Sequence, residues 1–412
     1  MEEPMKPISS ATMTQDPMTP ATRTPATRTT DASPLLFMAT TNDQWQDQRM
    51  MRWCQTLEMA GWRVRWIGVD RNREVPLQST AHRTYQRLRI SPLRGPLFYL
   101  IYNLRLLVEA LRCSSTVYLS VDADTLPALR LASWMRSRPL WWDAHEWFTE
   151  VPELSGRPTV RRVWAGLIRL FLRGHVQCYT VGPALAEMFQ KEYGHPFRVL
   201  RNMPTRNTDP ADPLDTLNFP QGPFILYQGA LNLGRGLEAL LVAAERGLPC
   251  PLVLAGSGDL EMELRSTVHN RGLHGKVWFT GPLPSSQLRS LTQKAWLGLN
   301  LLDHPSLSYR YSLANKFFDY TAAGLPQLGM DFPEYQALLR DYPVGWGLKD
   351  CQPEGIVRFC YELWNQPERM EAARQACLQA AQAWTWENES QPLLEELRTL
   401  AQEQSIAQNQ PR

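Results

Sequence analysis

The segment YQGALNLGRGLE, from Tyr227 to Glu238, follows one apolar run and opens another. Gly229, Gly234 and Gly236 leave room for an oxyanion to approach the backbone. Arg235 sits among them and can neutralise a diphosphate through bidentate hydrogen bonds. A second segment, SYRYSLANKFFDYTAAGLPQLGM, joins a polar loop to a short amphipathic helix and then a strand. Ser312 is the expected N-cap. Phe317, Phe318, Ala322 and Ala323 fit a core-facing stripe. Gly324 and Pro326 end the helix. The N–H groups of Ser312, Leu313 and Ala314 would then point at an anion, favoured by the helix dipole. Asp319 faces the same crevice and can accept both hydroxyls of a ribose diol. In the first half, WDAHEWFTEVPEL places Asp143, His145 and Glu146 at the carboxyl end of a strand that finishes near Trp142. Asp143 and Glu146 can orient His145, hold the loop or contact an acceptor.

These residues need strands that end where the chemistry begins. From Pro34 the chain alternates apolar runs (LLFMAT, WRVRWIGV, TVYLS, PLWWDAHE, HVQCYTV, FRVL) with amphipathic helical patterns. That alternation implies a parallel sheet covered on both faces. A stretch rich in Asp, Pro, Asn and Thr follows, and the alternation resumes with FILYQG, PLVLAG, KVWFTG, WLGLNLL and LPQLGM. Beyond Pro353 only helices are expected. The division is a Thr/Pro-rich disordered tail (1–33), an α/β domain (34–203), a linker (204–222), a second α/β domain (223–382), a helix (383–404) and a frayed end (405–412). Ligands of open parallel sheets bind beyond the carboxyl ends of the strands, here a cleft between two doubly wound domains.

Composition sets limits. With 412 residues, 43% hydrophobic, the chain can bury two cores, and a formal net charge of +2 excludes a general nucleic-acid binder. The seven scattered cysteines form no C-x-x-C pair, which points to a reducing compartment and no structural zinc. No apolar h-region follows the N-terminus, and PLFYLIYNLRLL is interrupted by Asn103 and Arg105, so a cytoplasmic protein is expected. The helix GRPTVRRVWAGLIRLFLRGH sets Val160, Val163, Trp164, Leu167 and Phe171 on one face and Arg161, Arg162, Arg169 and Arg173 toward the other. It suits either peripheral contact with an anionic membrane face or plain packing with a solvated basic side.

SLANKFFDYTAAGLP resembles the donor-site helix of glycosyltransferase family 4, whose fold is GT-B: two Rossmann-like domains facing a cleft, with a C-terminal helix crossing back to the first. DAHEWFTEVPEL is similar to a motif of the same branch. The resemblance implies that Asp319 binds the nucleotide ribose and that His145 faces the donor sugar. Gly256, in AGSGD, would lie against the nucleotide, and backbone near Leu283, after FTG, would read the base. The acceptor would approach the loop from Thr41 to Gln44, with Asn42 and Asp43 at its centre. Two positions depart from the family: its first acidic residue falls on Tyr311 and its first loop cation on Ala230. Lys316 is the candidate replacement cation.

The implied activity is that of a retaining hexosyltransferase. It would move a sugar from a nucleotide-diphosphate sugar to a glycan or lipid-linked acceptor, in cell-surface polysaccharide synthesis, with no metal and no cofactor. His145, Arg235 and Lys316 are the expected catalytic residues. The alternatives are another GT-B reaction such as epimerisation, or a non-catalytic nucleotide-sugar-binding protein acting as an assembly partner.

Overall fold

The computed structural model describes residues 33–409, apart from 42–43, 45–46, 71–76, 91–94, 155, 207–211, 215–216 and 304. The tail expected to be disordered therefore lies outside the described residues except for Ser33, as do Asn42 and Asp43. The first lobe runs β1 (Leu35–Ala39), α1 (Gln48–Met59), β2 (Arg63–Val69), β3 (Arg83–Leu88), α2 (Gly95–Arg112), β4 (Val117–Val121), α3 (Leu126–Arg136), β5 (Leu140–Ala144), α4 (Pro158–Phe171), β6 (Gln177–Thr180), α5 (Pro183–Tyr193) and β7 (Phe197–Val199). Its seven strands are ordered β3-β2-β1-β4-β5-β6-β7, and every neighbouring pair is parallel.

The second lobe runs β8 (Ile225–Gln228), α6 (Leu237–Arg246), β9 (Leu252–Ala255), α7 (Glu261–Asn270), β10 (Val277–Gly281), α8 (Ser285–Lys294), β11 (Leu297–Asn300), α9 (Leu307–Arg310), α10 (Asn315–Ala322), β12 (Gln327–Met330), α11 (Pro333–Asp341), β13 (Gly345–Leu348) and α12 (Pro353–Trp364). Its parallel sheet is ordered β10-β9-β8-β11-β12-β13. Then follow α13 (Pro367–Ala383), α14 (Trp386–Glu389) and α15 (Gln391–Asn409). Both sheets change direction of growth beside their central strand, β1 or β8, which is where open α/β sheets leave a crevice.

The strand pleat sends alternate residues to opposite cores. On β1, Phe37 and Ala39 join a core under α2 to α5, whereas Leu36 and Met38 join one with α1 and α15. On β8, Ile225 and Tyr227 face one core and Leu226 the other. The chain's end packs on the first lobe. Trp62 Nε1 donates to the Leu397 carbonyl over 2.9 Å and Trp386 Nε1 to Thr56 Oγ1 over 2.9 Å. Leu393, Leu394 and Leu397 are buried against the first sheet. The last helix continues to Asn409, beyond the frayed end expected from 405.

Two strands were not anticipated. Both β3 and β13 are edge strands, paired on one side only. An edge strand needs no continuous apolar run, and RTYQRL and GWGL have none. Strand β5 also runs two residues past Trp142, so Asp143 lies within the sheet opposite Tyr179 rather than at its mouth.

Candidate functional site

The second lobe holds two cations at the ends of its strands. Arg235 leaves the loop after β8, and its guanidinium carbon lies 4.9 Å from the centroid of the Tyr309 ring. Its Nε is buried with no hydrogen-bond partner. Lys316, in the first turn of α10, holds its Nζ 3.7 Å from the centroid of the Tyr227 ring. The same nitrogen lies 3.5 Å from where a Cβ at position 229 would be. Lys316 thus fills the space beside Gly229 and Ala230, where the loop itself has no cation. Burial, and then the neighbouring Arg235, push the Lys316 ammonium well below the usual lysine range, which Asp319 offsets only in part.

The glycines make this approach possible. A Cβ at Gly256 would collide with the Gly229 carbonyl oxygen, and both residues have positive φ, 147° and 127°. The first turns after β8 and β9 therefore pack backbone to backbone beneath Lys316. Gly234 has φ 78°, and its carbonyl accepts from the Asp303 amide over 3.2 Å. Leu283, after β10, is partly buried against the core below the same edge.

Helix α10 is fixed by Tyr320. Its hydroxyl accepts from the Gln228 amide over 3.0 Å and lies 3.2 and 3.1 Å from the carbonyls of Leu226 and Leu299. The ring occupies the space that a side chain at Gly298 would need. Phe317, Phe318, Tyr320 and Thr321 form the buried stripe, and Ala322 is exposed with Ala323 only partly covered. That corrects the expected stripe: the two alanines face the cleft, in phase with Asp319.

The helix also begins later than expected. Its N-cap is Ala314, with no side-chain cap. Ser312 instead donates its hydroxyl to the Tyr309 carbonyl over 2.8 Å, and its amide donates to the same oxygen over 3.2 Å. The Ala314 amide donates to the Tyr335 hydroxyl over 3.0 Å, and Leu313 is buried. The N–H groups of Ser312 and Ala314 are thus already used within the protein, rather than pointing at an anion as the sequence pattern predicts.

Asp319 lies deep in the cleft. Burial raises its pKa to about 6, and Arg52, Lys316 and a hydrogen bond with Gln228 restrain the rise. Gln228 is held in turn by Thr292 Oγ1, 2.8 Å from its Oε1. Beside Asp319 lies an interlobe cavity of about 890 Å³, lined by Arg52, Arg206, Gln228, Arg289 and Ala323 among others. Arg235, Lys316 and His145 are not in its lining. Asp319 is the group common to the cavity and the cation pair.

The first lobe contributes a separate charge cluster. Asp143 is fully buried and receives Nε and Nη2 of Arg49 at 2.9 and 2.7 Å. Burial opposes its ionisation, but Arg49 and His145 outweigh this and hold the carboxyl well below the usual range. His145 places Nε2 3.1 Å from Asp143 Oδ2 and Nδ1 3.8 Å from Asp122 Oδ2. Its amide donates to Asp122 Oδ1 over 3.1 Å. Burial opposes protonation of the ring, yet Asp122 and Asp143 raise its pKa to about 9. Asp143 is therefore a positioning residue for His145 and cannot touch an acceptor, because no face of it is open. Glu146 is exposed at the loop surface. Of the expected acceptor loop, Thr41 and Gln44 are buried: Thr41 donates to Asp124, and Gln44 Nε2 donates to the Trp66 carbonyl over 2.9 Å.

Helix α1 connects the two charge sets. Arg49 binds Asp143, while Arg52 hydrogen-bonds Asn202 and faces Asp319. Asn202 Nδ2 then donates to Asn315 Oδ1 over 2.7 Å, at the start of α10. Neither arginine was singled out from sequence. The available signal was phase: Arg49 falls in the same helical stripe as Trp53, Thr56 and Leu57, all buried. A charged residue in an apolar stripe needs a partner.

Comparison with known proteins agrees with this architecture. Residues 213–380, most of the second lobe, match the family model described as Glycosyl transferases group 1. Over 60 residues the chain is 47% identical to O-antigen chain mannosyltransferase C of Escherichia coli, a match spanning 15% of this chain and 16% of that protein. Among solved structures, Anabaena Alr3699/HepE in complex with UDP and glucose superposes with a TM-score of 0.69 at 15% identity, covering 89% of this chain and 99% of that one. Sucrose-phosphate synthase from Thermosynechococcus elongatus gives 0.71 at 15% identity, covering 89% and 99%. WaaG, a glycosyltransferase involved in lipopolysaccharide biosynthesis, gives 0.64 at 15% identity, with the same coverage. The fold is GT-B: two Rossmann-like lobes around a cleft.

Proposed function

We propose that the protein is a retaining hexosyltransferase that takes its sugar from a nucleotide-diphosphate donor. The observation that carries this reading is the pair of cations, Arg235 and Lys316, resting on tyrosine rings at the glycine turns and one helix turn from Asp319. Two recessed cations with no ion pair to a carboxylate among the described residues suit a ligand that brings its own negative charge. A diphosphate supplies that charge, and a ribose attached to it reaches Asp319. The adjoining cavity has room for the nucleoside.

In this mechanism the acceptor oxygen forms a bond to the anomeric carbon as the bond from that carbon to the diphosphate oxygen breaks. The acceptor proton passes to the departing oxygen on the same face of the sugar, so configuration is retained and no carboxylate nucleophile is needed. Arg235 and Lys316 stabilise the charge that grows on the diphosphate. Arrival of the diphosphate favours the ammonium form of Lys316. His145, held as an imidazolium by Asp122 and Asp143, offers a charged donor at the opposite wall of the cleft.

The acceptor is a glycan or a lipid-linked saccharide, and the setting is cell-surface polysaccharide synthesis on the cytoplasmic side. The short match to an O-antigen mannosyltransferase supports this class. No helix among the described residues is long and apolar enough to cross a membrane. The test is a panel of nucleotide sugars, with and without acceptors, followed by product analysis. Transfer with retained anomeric configuration is expected. Inversion contradicts the mechanism, and binding without hydrolysis or transfer favours a non-catalytic sugar-nucleotide binder.

A further inference from the structure

Large apolar side chains are exposed on one face of the first lobe. Leu100 (58% exposed) and Leu104 (56%) lie along α2, Trp134 (71%) and Met135 (56%) on α3, and Val163 (56%) and Leu170 (50%) on α4. These helices are neighbours, α2 against α3 and α3 against α4. Their inner sides, through Leu106, Leu129 and Trp164, bury into one core on a single face of the seven-stranded sheet. Each helix therefore has two apolar aspects, one satisfied by the core and one turned outward. On α4 the split corrects the single stripe expected from sequence, since Trp164 and Ile168 point in while Val160 and Val163 point out.

The charge carried by these helices is mostly of one sign, with Arg161 and Arg169 partly balanced by Glu150 and Glu192 on neighbouring elements. Helices α3 and α4 contain no Asp or Glu, but carry Arg130, Arg136, Arg161, Arg162 and Arg169. The one acidic residue of α2, Glu109, is engaged by Arg65 at 2.7 Å. Apolar side chains flanked by arginines, with a tryptophan among them, match the interface of an anionic bilayer: apolar groups enter the acyl boundary and guanidinium groups stay at the phosphates. A second copy of this chain seated face to face would oppose arginines to arginines.

We propose that the α2–α3–α4 face docks the protein on an anionic lipid bilayer. This face also adjoins the cleft. Arg161, in the first turn of α4, pairs with Glu150, and both line a hollow of about 210 Å³ between the loop at Thr149–Leu154 and Pro305–Leu307 of the second lobe. Docking brings that mouth to the headgroup plane, where a lipid-linked acceptor enters without leaving the membrane. The choice of acceptor rests on the function proposed above; the docking does not.

The test is co-sedimentation of the full chain with vesicles of phosphatidylcholine, or of an equal mixture with phosphatidylglycerol. The wild type is expected to pellet with the mixed vesicles, weakly with the neutral ones, and less as salt rises. Leu104→Gln/Trp134→Gln should lower partitioning by about tenfold or more. Arg136→Gln/Arg162→Gln should lower it about 25-fold, on the order of fivefold per arginine. Both variants should keep the wild-type melting temperature and nucleoside-diphosphate binding. The proposal is overturned if the wild type ignores mixed vesicles, if both variants partition as it does, or if gel filtration shows a dimer that Leu104→Gln/Trp134→Gln abolishes. Loss of nucleoside-diphosphate binding by the wild type itself would instead count against the proposed function and leave the docking result standing.

Discussion

The two walls of the cleft carry similar residues in opposite electrostatic states. In the first lobe Arg49, Asp143, His145 and Asp122 satisfy one another within 4 Å. In the second, Arg235 and Lys316 rest on aromatic rings, and Arg235 keeps a buried Nε without a hydrogen bond. A balanced cluster holds its shape and contributes to stability, whereas an unbalanced one costs stability until an anion arrives. The first wall is balanced by its own residues and the second is not.

If that contrast is right, the largest effect comes from unbalancing the first wall. Asp143→Ala strands Arg49 in the interior and should cost about 3–5 kcal/mol of folding stability, measured by denaturant unfolding. The pH profile should carry the same signature. The folded pKa of His145, about 9, lies above the ordinary value of about 6.5. Its contribution is then complete below pH ~6.5 and is lost as pH rises through about 9. A stability curve that is flat over this window, with no difference between wild type and His145→Gln, would break the comparison.

Arg235→Ala should lower turnover by about 10²–10³, or ~3–4 kcal/mol, and change stability by less than about 1 kcal/mol. Near-normal turnover would remove the reason for assigning this wall to binding. Lys316→Met should weaken nucleoside-diphosphate affinity by about 1.5–3 kcal/mol, yet leave the apo protein as stable or more so, because a recessed ammonium is lost. A fall in apo stability would place Lys316 with the balanced kind of charge. Asp319→Asn should cost about 1–1.5 kcal/mol of affinity. In the wild type, affinity should decline as pH falls through about 6, where the carboxylate stops accepting from the ribose; the asparagine variant should lack that inflection when the two titrations are compared.

What could be read from sequence followed from how locally each feature is determined. The glycine turns and the Gly324 stop of α10 are set by neighbours a few residues away, and both lie where the sequence pattern places them, whereas the start and buried face of α10 do not. The alternation of apolar runs found the central strands and the edge strands β7 and β10, but not the edge strands β3 and β13, whose RTYQRL and GWGL contain no such run. Capping at Ser312 failed because Tyr335, 21 positions from Ala314, supplies a competing hydroxyl. Asp143 looked like a cleft residue because nothing nearby in sequence revealed Arg49, 94 positions away. Charge partners across a fold have no periodicity, so the wall of the second lobe was legible and most of the first lobe's charge cluster was not.

The most direct measurement is calorimetric titration of the full chain with a nucleoside, its monophosphate and its diphosphate, for each common base, with Arg235→Ala alongside. The account predicts that the preferred diphosphate binds at least about tenfold more tightly than the nucleoside, as expected for charge-assisted contacts to two cations, and that Arg235→Ala removes this advantage. Equal affinity for nucleoside and diphosphate, or an advantage that survives in Arg235→Ala, would contradict it.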